Sequence, residues 1–204
     1  MLKKVLLLVC LSMFVFNATK AQKDNDARKV LDKTAAIVGN KGGALANFKL
    51  SNGKLGAISG TISIKGNKFY ARTSKATVWF NGKTQWSYLP STNEVNVSNP
   101  NQSQQAAMNP YTFINMYKSG YNLSMNKVGR DYQVHLVAEK GNKGIPELYV
   151  LVDDATYKPK QVKMKRGGEW TTITISNFQH KNLSDHLFSF NSKDFPSAEV
   201  VDLR

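Results

Sequence analysis

Cysteine is almost missing from this chain of 204 residues, Cys10 being the only one. One cysteine closes no internal disulfide and builds no thiolate zinc site. Histidine is nearly as scarce. His135, His180 and His186 stand apart, without the HExxH spacing that places two imidazoles on one helical face. Ser184-Asp185-His186 has the residue types of a catalytic triad, but chain neighbours cannot converge as a triad does. Carboxylates number 14 against 28 Lys and Arg, and Asp153-Asp154 is their only tight pair. In VDDATYKP that pair reads as a turn between strands, with Asp capping turn amides and Pro159 restarting the strand. A glycosidase would need two opposed carboxylates, and nothing points to them. GxSxG, P-loop and GxGxxG motifs are all absent. The expectation is a protein that is not an enzyme and holds no cofactor and no metal.

Long apolar runs are also missing. The longest, Val5–Phe16, has 12 residues, short of the roughly 20 a membrane-spanning helix needs. Lys3 and Lys4 precede it, and Asn17–Gln22 turns polar, with Thr19 and Ala21 as small residues before a cut after Ala21. This is the pattern of a secretory signal peptide over residues 1–21. A lipoprotein cut before Cys10 would follow Val9, which is not small, and would leave almost no apolar core to the signal. Removing residues 1–21 takes away the cysteine and three lysines, Lys3, Lys4 and Lys20, so the net charge falls from +14 to +11. Residues 22–204 are expected to form one exported domain, a monomer. The basic residues are dispersed, which suits a solvated surface or contact with anionic membrane. No motif suggests nucleic acid.

The remaining chain is patterned. Ala27, Val30, Leu31, Thr34, Ala35 and Val38 recur at helical spacing, predicting a helix over 26–38 with Asp26 as cap and Gly39-Asn40 as stop. Period-2 alternation then takes over, in GTISIKG, in KFYARTS and in VWFNGKTQWSYLPSTNEVNVS. Asn81-Gly82 predicts a tight hairpin turn. After a polar stretch, Asn109-Pro110 signals a short apolar helix ending near Gly120. Further strands are predicted at 121–125, 131–138, 147–153, 160–165, 170–178 and 187–190. About ten or eleven strands and two helices imply an antiparallel sandwich or barrel.

The aromatic residues fit two designs. They form a solid β-protein core, or they line one wall of an apolar cavity. The alternation is the same for both. An apolar helix after a flexible polar loop favours the cavity, since it is placed to act as a lid.

The ordered motifs resemble the LolA-like family of periplasmic outer-membrane lipoprotein carriers, in its Bacteroidetes-type versions. VWFNGKTQWSYLPSTNEV is similar to the family hairpin DGKxxWxY–P, with Asn81 for Asp. GTISIKGNKFYA resembles the preceding strand pair, NPYTFINMYKSG the helix after the flexible loop, and LFSFNSKDFPSAEVVDLR the final F-x-F…P…(E/D)V strand. The resemblance implies a mainly β fold, an incomplete, strongly curved antiparallel β-barrel of about 11 strands covered by short helices. It implies a chaperone-like carrier that shelters lipoprotein acyl chains. Such a carrier takes acylated lipoproteins from an inner-membrane ABC-type releasing complex to the outer membrane or its receptor. A carrier of another lipid, glycolipid or hydrophobic product fits the same fold. The expected lipid-binding residues are Ile62, Ile64, Phe69, Val78, Phe80, Trp86, Tyr88, Val95 and Val97 on the sheet, with Phe113, Ile114 and Tyr117 from the lid. Trp79 is expected on the opposite face, so that Trp86→Asp harms uptake more than Trp79→Asp. Proteobacterial members place an Arg in a KRP turn to latch the lid. This chain has Lys65-Gly66-Asn67-Lys68 there, which leaves the latch to other residues.

Overall fold

The structure is a computed structural model that describes residues 24–53, 56–101, 104, 115–139 and 144–204. Residues 24–38 are helical (α1). The first six strands are β1 (Ala44–Asn52), β2 (Gly56–Lys65), β3 (Lys68–Thr73), β4 (Thr77–Phe80), β5 (Gln85–Leu89) and β6 (Glu94–Ser98). The other six are β7 (Tyr121–Val128), β8 (Asp131–Ala138), β9 (Glu147–Asp153), β10 (Pro159–Arg166), β11 (Glu169–His180) and β12 (Glu199–Asp202). All twelve join in one sheet, in the order β12-β6-β5-β4-β3-β2-β1-β11-β10-β9-β8-β7. Neighbours are antiparallel except β12, which runs parallel to β6. The terminal strands β12 and β7 do not pair with each other, so the curved barrel stays open.

Most predicted elements are present, with instructive shifts. The helix has already begun at residue 24, so Asp26 lies within it instead of capping it, and pairs with Lys29 one turn on at 3.3 Å. Its end is as expected, with Gly39 N–H donating to Ala35 O. Residues 187–190 are not a strand. Asp185–Phe188 is a 3-10 turn, and the last strand lies further on, at β12. The predicted helix over 110–119 falls largely outside the described residues; within them, Met116–Lys118 forms a 3-10 turn.

Register sets which residues share a face, because directly paired residues point to the same side. Ile64 pairs with Ala44 and Phe69, and Phe69 with Phe80; Ile62 pairs with Ala46 and Ala71, and Ala71 with Val78. Beyond β1 the same side continues through Leu50–Ile173 and Ile173–Val162 to Val162–Val150, Val150–Val134 and Val134–Met125. One apolar face therefore runs from β4 to β7. Helix α1 lies on it. Ala27, Val30 and Leu31 pack with Leu123, Val134, Leu136, Leu148, Val150 and Val162, while Val38 packs with Ile64, Phe69 and Phe80. Only the helical stripe set by the apolar spacing is buried, as an amphipathic helix on a sheet requires.

On β5 and β6 this helix-bearing face changes character. Phe80 pairs with Gln85 and Val78 with Ser87, so polar side chains continue the face there. The aromatic residues of β5 turn to the other side of the sheet.

Candidate functional site

Of the expected lipid-binding residues, Ile62, Ile64, Phe69, Val78 and Phe80 share the helix-bearing face. Trp86, Tyr88, Val95 and Val97 do not. Trp86 pairs with Trp79 and with Val97, and Tyr88 with Thr77 and Val95, so all of them share the face of Trp79. The expectation that Trp79 lies opposite Trp86 is thereby corrected. The hairpin explains why. Asn81 N–H donates to Thr84 O at 3.2 Å, so the loop proper is Gly82-Lys83, one residue later than predicted. Across a loop of even length, even-numbered residues of one strand oppose odd-numbered residues of the next. Val78 and Phe80 therefore cannot share a side with Trp86 and Tyr88. Gly82, at φ 97°, takes the left-handed conformation that the turn needs. Asn81 Oδ1 supports it by accepting from Lys83 N (3.0 Å) and Thr84 N (2.9 Å). Phe113 and Ile114 lie outside the described residues.

The five residues on the helix-bearing face are not equally available to a ligand. Phe80 is 1% exposed and its ring lies 5.6 Å from that of Phe69, closed beneath Val38. The accessible part lies further along the strands. Phe48, Leu50 and Ile58 are half-buried and belong to neither packed cluster. Leu50 sits between Ile58 and Ile173, and Phe48 between Gly60 and Ile175. By contrast, Ala44 and Ala46, at the start of β1, are buried. The helix-bearing face thus has a closed end under α1 and an open apolar strip over β11, β1 and β2. Gly60 keeps that strip smooth: a Cβ there would lie 2.3 Å from Arg72 O and 2.8 Å from the Phe48 ring. The sequence reading missed Phe48, Leu50, Ile58 and Ile173 as site residues. Their alternation was visible; their position beyond the helix was not.

Tyr117, expected in the lid, joins the 115–118 segment to α1. It is 3% exposed and packs with the helix in the larger cluster. Its hydroxyl donates to Asp32 Oδ1, and its carbonyl accepts from Arg28 at 2.8 Å. Asp24 holds Arg28 at 2.8 Å and accepts from Leu123 N at 3.2 Å, which fixes the same helix to β7. Burial first, and then the bond to Asp32, push the phenol well above the usual tyrosine range. An acid whose pKa is raised by folding adds stability below its unfolded pKa, and that contribution disappears as pH rises towards the folded value. Tyr117→Phe should therefore cost about 1 kcal/mol at pH 7. The gap to wild type should narrow above pH ~10, where an unfolded tyrosine ionises. Urea unfolding at the two pH values measures both.

The lysines of the turn between β2 and β3 grip the C-terminal segment. Lys65 Nζ donates to Leu183 O at 2.8 Å and pairs with Asp185 at 3.1 Å, and Lys68 pairs with Asp185 at 3.3 Å. The bonds from both lysines hold the Asp185 carboxyl below its ordinary range. From there the segment covers the outer face of β3–β5. Trp79 lies 5.5 Å from the ring of Phe190 and 5.6 Å from that of Phe195, and Tyr88 meets Phe195 in a tilted contact at 4.6 Å. Four of the expected lipid-binding residues are therefore packed with or beside this second aromatic layer.

The candidate chemistry is that of surfaces. Asp153 serves its turn, accepting from Thr156 N and Thr156 Oγ1 at 2.8 Å each, and these bonds with Lys160 keep its carboxyl strongly acidic. Among the described residues no group of three or more His, Cys, Asp or Glu could hold a metal ion. No helix among them is long and apolar enough to cross a membrane.

The chain is similar to several solved structures. An uncharacterized conserved protein from Thermus thermophilus superposes with a TM-score of 0.59 at 13% identity, covering 87% of this chain and 99% of its own. Lipoprotein LppX of Mycobacterium tuberculosis gives 0.48 at 11% identity, with 79% and 98% covered. A LolA superfamily protein from Nitrosomonas europaea gives 0.45 at 11% identity, with 80% and 97% covered. No curated protein sequence matches the chain significantly. The family model for the outer membrane lipoprotein carrier protein LolA matches residues 17–168, about three quarters of the sequence, and the chain belongs to that family.

Proposed function

We propose that this protein is a periplasmic carrier that shelters the acyl chains of lipoproteins and moves them from the inner to the outer membrane, without a catalytic step. The apolar strip of Phe48, Leu50 and Ile58, half-buried, outside both packed clusters and bordered by Ile173 and Ile175, carries this reading. A chain of about 16 carbons costs on the order of 12 kcal/mol to expose, at about 0.8 kcal/mol per CH₂. A carrier must hide most of that surface and still release it. An apolar wall does so without directional bonds, because hydrophobic burial has no preferred geometry. The partners in this reading are an inner-membrane ABC-type releasing complex and the outer membrane or a receptor on it.

Native mass spectrometry tests the cargo. Protein purified from cells without detergent should carry acylated lipoprotein. A free lipid in its place would replace lipoproteins with another lipid as cargo. Absence of any adduct, together with no uptake of added acylated peptide, would overturn the carrier reading.

A further inference from the structure

We infer that the outer face of β9–β11 and β1 is a docking surface for anionic phospholipid membrane. Register places Tyr149, Lys163, Thr172 and Ser51 in one row across these strands, Glu147, Lys165 and Trp170 in a second, and Gln161, Thr174 and Lys49 in a third. This is the side opposite the apolar strip, since Leu50, Val150 and Val162 are the alternate residues. Trp170 is half-buried, and two ammonium groups stand over its ring, Lys163 at 4.7 Å and Lys165 at 5.8 Å from the centroid. Tyr149 lies 5.9 Å from Trp170 and stacks on His135 at 4.2 Å.

The charges on this face are one-sided. Among the described residues Lys49, Lys163 and Lys165 make no ion pair. The carboxylates at the edge of this face are hydrogen-bonded to other groups, although Glu147 lies across from Lys165 and feels its charge. Glu147 Oε1 is held by His135 at 2.9 Å and Tyr149 at 3.0 Å, while Asp131 and Asp153 at the far end share Lys160 at 2.6 and 3.0 Å. Between the cations lie hydroxyls, Ser51, Thr172 and Thr174, and no acidic side chain.

This combination fits a phospholipid headgroup layer better than an acidic protein. Trp170 and Tyr149 are amphipathic rings suited to headgroup depth. The lysines supply attraction to an anionic surface. The hydroxyls offer donors to phosphate oxygens without fixing a sequence or a register. The surface is independent of acyl-chain binding, because it lies on the other side of the sheet.

Co-sedimentation with liposomes tests this. The full chain should pellet with phosphatidylglycerol-containing vesicles and not with pure phosphatidylcholine, and salt should release it. Replacing Lys49, Lys163 and Lys165 together by Gln should weaken binding at least about tenfold. A control triple, Lys41, Lys75 and Lys83 to Gln, makes the same change in net charge on exposed lysines elsewhere, and should weaken it less than about threefold. Trp170→Ala, with all lysines retained, should also weaken it. Equal losses in the two triples would show attraction to net charge alone and overturn the surface. Failure of the wild type to bind anionic vesicles would overturn the membrane assignment in favour of an acidic protein. Uptake of acylated peptide in vesicle-free solution should be unchanged in the Lys49, Lys163, Lys165 triple, so failure here is distinguishable from failure of the carrier reading.

Discussion

Leu50→Asp should reduce acyl-chain uptake about a hundredfold, while Ser51→Asp, the next residue of the same strand, leaves it within about twofold. Leu50 lies on the helix-bearing face between Ile58 and Ile173, and Ser51 on the outer face between Ala57 and Thr172. A carboxylate at Leu50 must lose water when a lipid chain covers it, or keep water where the chain should lie. Either costs about 3 kcal/mol, enough for that factor. The fold should tolerate the change, because Leu50 is half-buried and stands outside both packed clusters. Displacement of a fluorescent fatty-acyl probe measures uptake, and urea unfolding checks stability. Equal uptake in the two variants would mean that the strip is not the binding wall. The pair is informative because strand, neighbourhood and added charge are shared, and only the face differs.

Much of this architecture could be read from spacing. Helix α1 followed from Ala27, Val30, Leu31 and Val38, all of which are buried. β8 and β9 fell on their predicted residues. The faces of the hairpin were harder. Asn81-Gly82 marks the turn one residue early, but a two-residue loop at either place gives the same parity; the faces follow from loop length, whereas apolar character alone does not say which side of a sheet a residue takes. Trp86 and Tyr88 look like a continuation of Val78 and Phe80 because all four side chains are apolar or aromatic. Phe195, which meets the rings of Tyr88 and Trp79, lies more than a hundred residues further along the chain, and no local pattern reveals a segment returning to cover the outer face. β12 shows in no local alternation, and only the family resemblance marks a final strand near the end of the chain; its partner is the parallel edge of β6. The apolar strip was hidden differently. Phe48, Leu50 and Ile58 alternate like any core residues, and they remain half-buried only because α1 packs over other strand positions.

Trp79→Ala should lower stability by about 3–5 kcal/mol and leave acyl-chain uptake by the folded protein intact. Trp79 is 7% exposed, pairs with Trp86 across the strands and holds ring contacts to Tyr70 at 5.7 Å and to Phe190 and Phe195. Removing it empties the space between the sheet and the segment that leads to β12. Phe195 also meets Tyr88 and Phe190 in tilted ring contacts, so the loss spreads through one aromatic layer. A double-mutant cycle between Trp79→Ala and Phe195→Ala should give a coupling of about 1 kcal/mol, the size expected of rings in edge contact. Trp79→Asp and Trp86→Asp should then both act by unfolding this layer, without the large difference in uptake expected if the two lay on opposite faces. The contrary result is clear: if Trp79→Ala abolished uptake while the urea midpoint stayed within error, the lipid would bind on the outer aromatic layer. The strip at Leu50 would then be ordinary half-buried surface. The two substitutions therefore decide between the faces of one sheet, Leu50→Asp by losing cargo without losing the fold, and Trp79→Ala by losing stability without losing cargo.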